Sequence, residues 1–119
     1  MPGKLNSINR KYFLEHLYDY RKDKEFIFKV NKPRVIDFWA TWCKTYMQLM
    51  PELEKMAERY KDQVVFMKID VDKEKELCAV FNVKLIPMLL LVPVSGKPTV
   101  LEGYQPEKCE EIIQEQLLK

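Results

Sequence analysis

The sequence is poor in the residues that staple or loosen small proteins. Cysteine and glycine occur three times each in 119 residues, and histidine once. The cysteines, Cys43, Cys78 and Cys109, lie far apart and are odd in number. No pair has CxxC or zinc-finger spacing, so a disulfide scaffold and a metal centre are both unexpected. Sparse glycine, seven prolines and no Ser/Gly linker or repeat argue against low complexity. No apolar run approaches the length of a membrane span. Charge of one sign is missing too. Twenty basic against eighteen acidic residues leave a net charge of +2, which gives no electrostatic case for nucleic acid or an anionic membrane. Met1-Pro2-Gly3-Lys4-Leu5-Asn6 is not followed by the apolar core of a secretory leader, so a cytoplasmic, reducing location is the expectation.

What is present is alternating periodicity over a length that fits one domain, 1–119. Phe13, Leu14, Leu17 and Tyr18 recur at helical spacing, with Ser7 or Asn9 as cap. Phe26 to Val30 reads as an edge strand ended by Asn31-Lys32-Pro33. Val35-Ile36-Asp37-Phe38-Trp39 is a nearly continuous apolar run, as in a strand buried on both faces. After a turn at Trp42-Cys43, a helix follows through Leu49, Leu53, Met56, Ala57 and Tyr60, with Pro51 inside it as a source of a kink. Val64 to Asp70 reads as a second buried strand, and Lys73 to Phe81 as a short helix with Asp72 as its cap. Met88 to Val94 and Thr99 to Glu102 form strands around Ser95-Gly96-Lys97-Pro98, an antiparallel hairpin. Pro106 opens a last helix with a stripe of Cys109, Ile112, Ile113 and Leu117. The expected order is α-β-β-α-β-α-β-β-α. It gives an α/β protein with a mixed central sheet flanked by helices, helix-separated strands running parallel.

The segment Phe38-Trp39-Ala40-Thr41-Trp42-Cys43 closely resembles the active-site strand and turn of thioredoxins. The resemblance extends to Asp37 as the family's buried acid, Pro51 as its helix-kinking proline, Lys68 as the lysine near that acid, Ile86-Pro87 as its cis-proline dipeptide and Gly103 in the last strand. It covers residues 24 to 118, and the N-terminal helix resembles that of a bacterial subgroup. A thioredoxin fold with an extra N-terminal helix is therefore implied. The departure is at the chemistry: Cys43-Lys44-Thr45-Tyr46 stands where the family carries Cys-Gly-Pro-Cys, and Met88 where it usually has Thr.

Thioredoxin chemistry is thiolate attack on a disulfide, resolved by the second cysteine. Free N–H groups and the dipole at a helix start favour the anion. The resemblance makes Cys43 the nucleophile, with Asp37 and Lys68 tuning it, and Trp42, Lys44, Thr45 and Tyr46 lining the site. Ile86, Pro87 and Met88 would form a groove that takes an extended segment by strand addition. A phenol cannot resolve a mixed disulfide, so Tyr46 leaves a monothiol site. The ring is expected to cover part of the helix face, with its hydroxyl donating near Cys43. Partners would be protein thiols or disulfides, with a low-molecular-weight thiol or a reductase to finish the exchange. No cofactor is implied. Two readings stand beside this one: a redox-silent binding module, and a once-dithiol enzyme in which Tyr46 has replaced a cysteine. Cys78 and Cys109 read as core thiols. Trp39 reads as site-floor packing, Trp42 as a partner-facing aromatic and His16 as a surface residue.

Overall fold

The apolar run from Val35 takes the centre of the sheet. A computed structural model describes residues 4–22 and 28–118. The elements are β1 (Asn6–Ser7), α1 (Arg10–His16), β2 (Arg34–Trp39), α2 (Lys44–Arg59), β3 (Val65–Asp70), α3 (Lys75–Val80), β4 (Met88–Val92), β5 (Thr99–Glu102) and α4 (Pro106–Ile112), the last continued by a π-helical turn, Ile113–Leu117. The five strands lie in the order β1-β3-β2-β4-β5. β2 pairs in parallel with β3 and antiparallel with β4, and β4 pairs antiparallel with β5.

Period-two alternation sorts the strand side chains between two cores. Val35, Phe66, Leu89, Leu91 and Leu101 join Leu49, Leu53 and Met56 of α2 and Cys109 and Ile112 of α4. Ile36, Phe38, Met67, Ile69, Met88 and Leu90 join Phe13 of α1 and Leu77 of α3. Helices therefore cover both faces, and β4 and most of β2 are apolar because neither face meets water, with Asp37 the charged exception within β2. Asp37 and Trp39 alternate with Ile36 and Phe38, which puts them on the α2–α4 side of the sheet. Lys68 is in register with Asp37 and shares that side.

Local chemistry explains the helix ends. Asn9 caps α1 by accepting from the Tyr12 N–H at 2.9 Å. Pro106 occupies the first turn of α4, where its missing N–H costs nothing. Glu76 accepts from Arg10 and from the Tyr20 hydroxyl, tying α1 to α3. Glu110 does the same for Arg59 and Tyr60, tying α4 to α2.

Three expectations are corrected, and one strand was not foreseen. β4 runs antiparallel to β2 although a helix separates it from β3. The six residues of α3 rise only about 9 Å, too little to carry the chain back along a sheet, so β4 enters from the end where β3 left it. The edge strand over 26–30 is not formed at residues 28–30, where the Lys29 N–H instead donates to the Leu17 carbonyl at 2.8 Å, and Phe26 and Ile27 lie outside the described residues. The edge beside β3 is taken by the two-residue β1, which pairs Asn6 with Met67 and Ser7 with Lys68. Asp72 does not cap α3. Glu74 holds the cap position without a side-chain bond, and Asp72 is engaged elsewhere.

Candidate functional site

Cys43 is the N-cap of α2, at the end of β2 where Ala40, Thr41 and Trp42 turn the chain. The turn is closed by the Cys43 N–H donating to the Ala40 carbonyl at 3.2 Å. Good caps are Ser, Thr, Asp or Asn, whose side-chain oxygen takes a helix N–H. Here the cap makes no side-chain bond, so the thiol is left for other chemistry. It is half-exposed, and its Sγ lies 3.7 Å from the Ile86 carbonyl oxygen, as a weak donor to it.

The opposite wall is the loop before β4. The Ile86–Pro87 peptide bond is cis. The Pro87 carbonyl accepts from the Gly103 N–H at 2.8 Å, which ties this loop to the end of β5. Gly103 has φ +83°, a conformation that favours glycine. Ile86 is half-exposed and Pro87 buried. Met88 departs from its expected place in the groove: it is 2% exposed and turned into the α1–α3 core, because alternation along β4 aims it there. Only its backbone remains for contact with a docked segment.

Lys44 is exposed, and Thr45 and Tyr46 are half-buried. The Tyr46 ring stacks on Trp39, with centroids 4.7 Å apart and planes at 25°. Its hydroxyl has no hydrogen-bond partner among the described residues, so the expected donation near Cys43 is not made. The indole of Trp39 offers a broad flat face that an α-helical flank does not, and offset stacking is favourable. Lys68 Nζ sits 4.9 Å from the Trp39 ring centroid, a cation–π distance.

Beneath this stack lies Asp37, fully buried and the one buried charged residue among those described. Neither of its oxygens has a hydrogen-bond partner among the described residues. Burial pushes its carboxyl up to about 7, and the Lys68 charge only partly offsets that. The field of Asp37 reaches outward. Burial first, then Asp37, then Glu54 raise the Tyr46 phenol above its ordinary range. Structure and electrostatics thus bring Asp37, Lys68, Trp39 and Tyr46 into one group on the α2–α4 side.

Trp42 stands apart from that group. Its Nε1–H donates to Asp72 Oδ2 at 3.0 Å, which holds the exposed indole beside the Cys43 turn. Asp72 was not legible as a site residue, and an aspartate two positions past the end of a strand signals a turn more than a side-chain anchor. A cleft of about 570 Å³ beside this turn is lined by Trp39, Thr41, Asp70 and Asp72. A larger one, about 1100 Å³, lies between Phe28, Phe81, Leu90, Val94 and Val100 and includes none of the site residues. His16 is exposed beside Tyr12 on α1. Cys78 Sγ lies 3.9 Å from the Val71 carbonyl, and Cys109 is fully buried, with burial first and Glu110 and Asp37 next pushing its thiol up to about 12.

A family model described as thioredoxin matches residues 18–115. A thioredoxin from Borreliella burgdorferi is 36% identical over 110 residues, which covers 92% of this chain and 94% of that one. A protein of Mycobacterium leprae named bifunctional thioredoxin reductase/thioredoxin is 38% identical over 78 residues, 66% of this chain and 15% of that one. The crystal structure of a thioredoxin from Malassezia sympodialis superposes with a TM-score of 0.80 at 25% identity, covering 100% of this chain and 96% of that one. With a mixed five-stranded sheet, helices on both faces and these relatives, the chain belongs to the thioredoxin family, whose general chemistry is thiol–disulfide exchange.

Proposed function

We propose that this single domain is a cytoplasmic thioredoxin-like protein with a monothiol site, in which Cys43 exchanges with, or captures, a disulfide partner and an external thiol completes the cycle. The observation that carries the reading is the half-exposed, uncapping Cys43 at the start of α2, with tyrosine and not a second thiol one turn later. Cys43 attacks one sulfur of the partner disulfide, forming a mixed disulfide and releasing the other sulfur as a thiolate. Tyr46 has no thiol to attack that bond. A low-molecular-weight thiol or a reductase must release the partner and restore Cys43. A reductase partner fits the Mycobacterium leprae relative, whose name joins the two activities in one chain.

In this reading Trp42, Lys44, Thr45 and Tyr46 line the site, and Ile86, Pro87 and the backbone of Met88 receive an extended segment of the partner. Asp37 and Lys68 set the electrostatics under Trp39 and Tyr46. Dithiothreitol-driven insulin reduction tests the reading. Wild type is expected to outpace Cys43→Ser clearly, and equal rates would remove the redox function. A non-redox binding module is favoured by an apolar rim that needs no thiol, since Trp42 and Leu85 are exposed regardless of Cys43. Partner capture that survives Cys43→Ala would select that second reading.

A further inference from the structure

We propose that the cleft at the end of the sheet away from Cys43 binds an aliphatic carboxylate of medium chain length, such as decanoate, with its carboxylate on Lys97 and its tail inward. The site is separate from the monothiol reading, and neither depends on the other. Cys43 lies at the Met88 end of β4 and the cleft beyond the Val92 end, so occupancy leaves the thiol free.

The cleft exists because one face of the sheet is only partly roofed. On the side that carries Ile36, Phe38 and Leu90 the covering helices are short, seven residues in α1 and six in α3. Edge strand β5 is left open there. Val100 is in register with Leu90 and shares its face, yet it is 50% exposed. These two residues and Phe28 form the floor. The end of α3 makes one wall, through Phe81 and Asn82, and the β4–β5 turn makes the other, from Val94 to Pro98. The space between them, about 1100 Å³, is large enough for a small-molecule site.

Both walls are held in place. Phe28 and Phe81 stack with centroids 6.3 Å apart, and each also packs on Phe13 of the core. Pro93 and Pro98 bracket the β4–β5 turn, and Gly96, at φ +102°, supplies its reversal. A preformed cleft loses little binding free energy to ordering.

Charge decides what enters. Lys97 is the one charged residue among the described residues that line the cleft. Its ammonium and the Ser95 hydroxyl have no hydrogen-bond or ion-pair partner among the described residues. The charged residues next to the lining are Lys29 after Phe28, Lys84 two positions past Asn82, and Glu102 two past Val100. Glu102 shares the face of Val100 but stands opposite Met88, toward the Cys43 end. On α3, Glu76 is taken by Arg10 and Tyr20. That helix turns its C-terminal, partly negative end to the cleft. The positive end is therefore the β4–β5 turn, and the negative ground lies at α3 and Glu102. This polarity seats a carboxylate at Lys97 and Ser95 and sends an alkyl chain over Val100 and Leu90 toward Phe28 and Phe81. From Lys97 to Val100 the chain rises only about 10 Å, which sets a medium length for the tail.

The test follows displacement of the fluorescent fatty acid dansylaminoundecanoate from the whole chain. Decanoate is expected to displace it saturably. Affinity is expected to rise about 4-fold with each methylene from hexanoate to decanoate and then to level off. Lys97→Glu is expected to weaken decanoate about 10-fold and leave decanol unchanged, while Lys97→Arg keeps the wild-type affinity. Val100→Asp is expected to abolish displacement, and Cys43→Ser to bind as wild type. Lys97 and Val100 are both exposed, so these variants keep the fold. Decanoate affinity unchanged in Lys97→Glu and Val100→Asp would place the ligand elsewhere and overturn the site. Displacement that never saturates, or that climbs with chain length without levelling, is detergent-like adsorption and would overturn it too. In sedimentation, a dimer dispersed by Val100→Asp, with no decanoate bound, would give this face to a second copy and overturn the ligand.

Discussion

Cys43 and Cys109 sit on neighbouring helices over the same face of the sheet, and their surroundings could hardly differ more. Cys43 holds the N-cap position of α2 without a side-chain cap bond, half-exposed, with its sulfur beside a carbonyl of the facing loop. Cys109 lies inside α4 among Leu49, Leu89 and Ile112, fully buried, its thiol pushed up to about 12. One residue type thus stands half-exposed at a helix start and fills the core inside a helix. Position relative to the helix end and to water decides which, since only a thiolate attacks. Asp37 belongs to the second environment. It shares the buried side with Cys109, and its charge is felt by both Cys109 and Tyr46.

The largest effect expected from this contrast is kinetic. At pH 7 a thiol held near 12 has a thiolate fraction about a thousandfold below that of an ordinary free cysteine. Iodoacetamide labelling followed by peptide mass mapping should therefore leave buried Cys109 essentially unmodified in the folded protein while half-exposed Cys43 reacts. Comparable rates in native buffer would erase the distinction.

Next comes the buried carboxyl. Unfolded, Asp37 loses its proton near 3.8, and folded it keeps it to about 7. The folded state therefore holds the extra proton across that window. This contribution to stability is greatest below pH 4, falls as pH rises to about 7, and is flat above. The whole swing is about 4 kcal/mol at most. Asp37→Asn removes the slope, so the variant should gain on wild type steadily between pH 4 and 7 in urea titrations. Parallel stability curves across that range would mean that Asp37 is not a buried, proton-retaining group.

The smallest effect is at the stack. Tyr46→Ala should cost about 1 kcal/mol through loss of the Trp39 contact. It should also raise the rate at which Trp39 is quenched by acrylamide. An unchanged midpoint together with unchanged quenching would show that the ring does not cover the indole.

Much of this was legible in the sequence, for identifiable reasons. Two-sided burial shows as an unbroken apolar run in β4 and a nearly continuous one in β2, and the helical stripes of α2 and α4 show as periodic ones, so the layers follow from patterning. The direction of β4 does not, because the same run suits either orientation and the decision lies in how far a short α3 can carry the chain. β1 is only two residues long and leaves no period to read. At the site, Cys43, Asp37 and Lys68 are marked by the resemblance of their segments to thioredoxins. The inward turn of Met88 follows from strand alternation once its exact start is known. The stacking of Tyr46 on Trp39 joins residues of different elements, and nothing local in either one announces it.

That stack also bears on how the site can change over generations. Codons for cysteine and tyrosine differ by a single base, so a one-thiol and a two-thiol turn are neighbours in mutational space. A large aromatic arriving at the first turn of a catalytic helix would ordinarily be purged for the damage it does to folding. Trp39 offers such a ring a flat surface to rest on, and it turns a disruptive replacement into one the scaffold can carry. The chemistry of this fold can thereby be switched without rebuilding the scaffold that supports it.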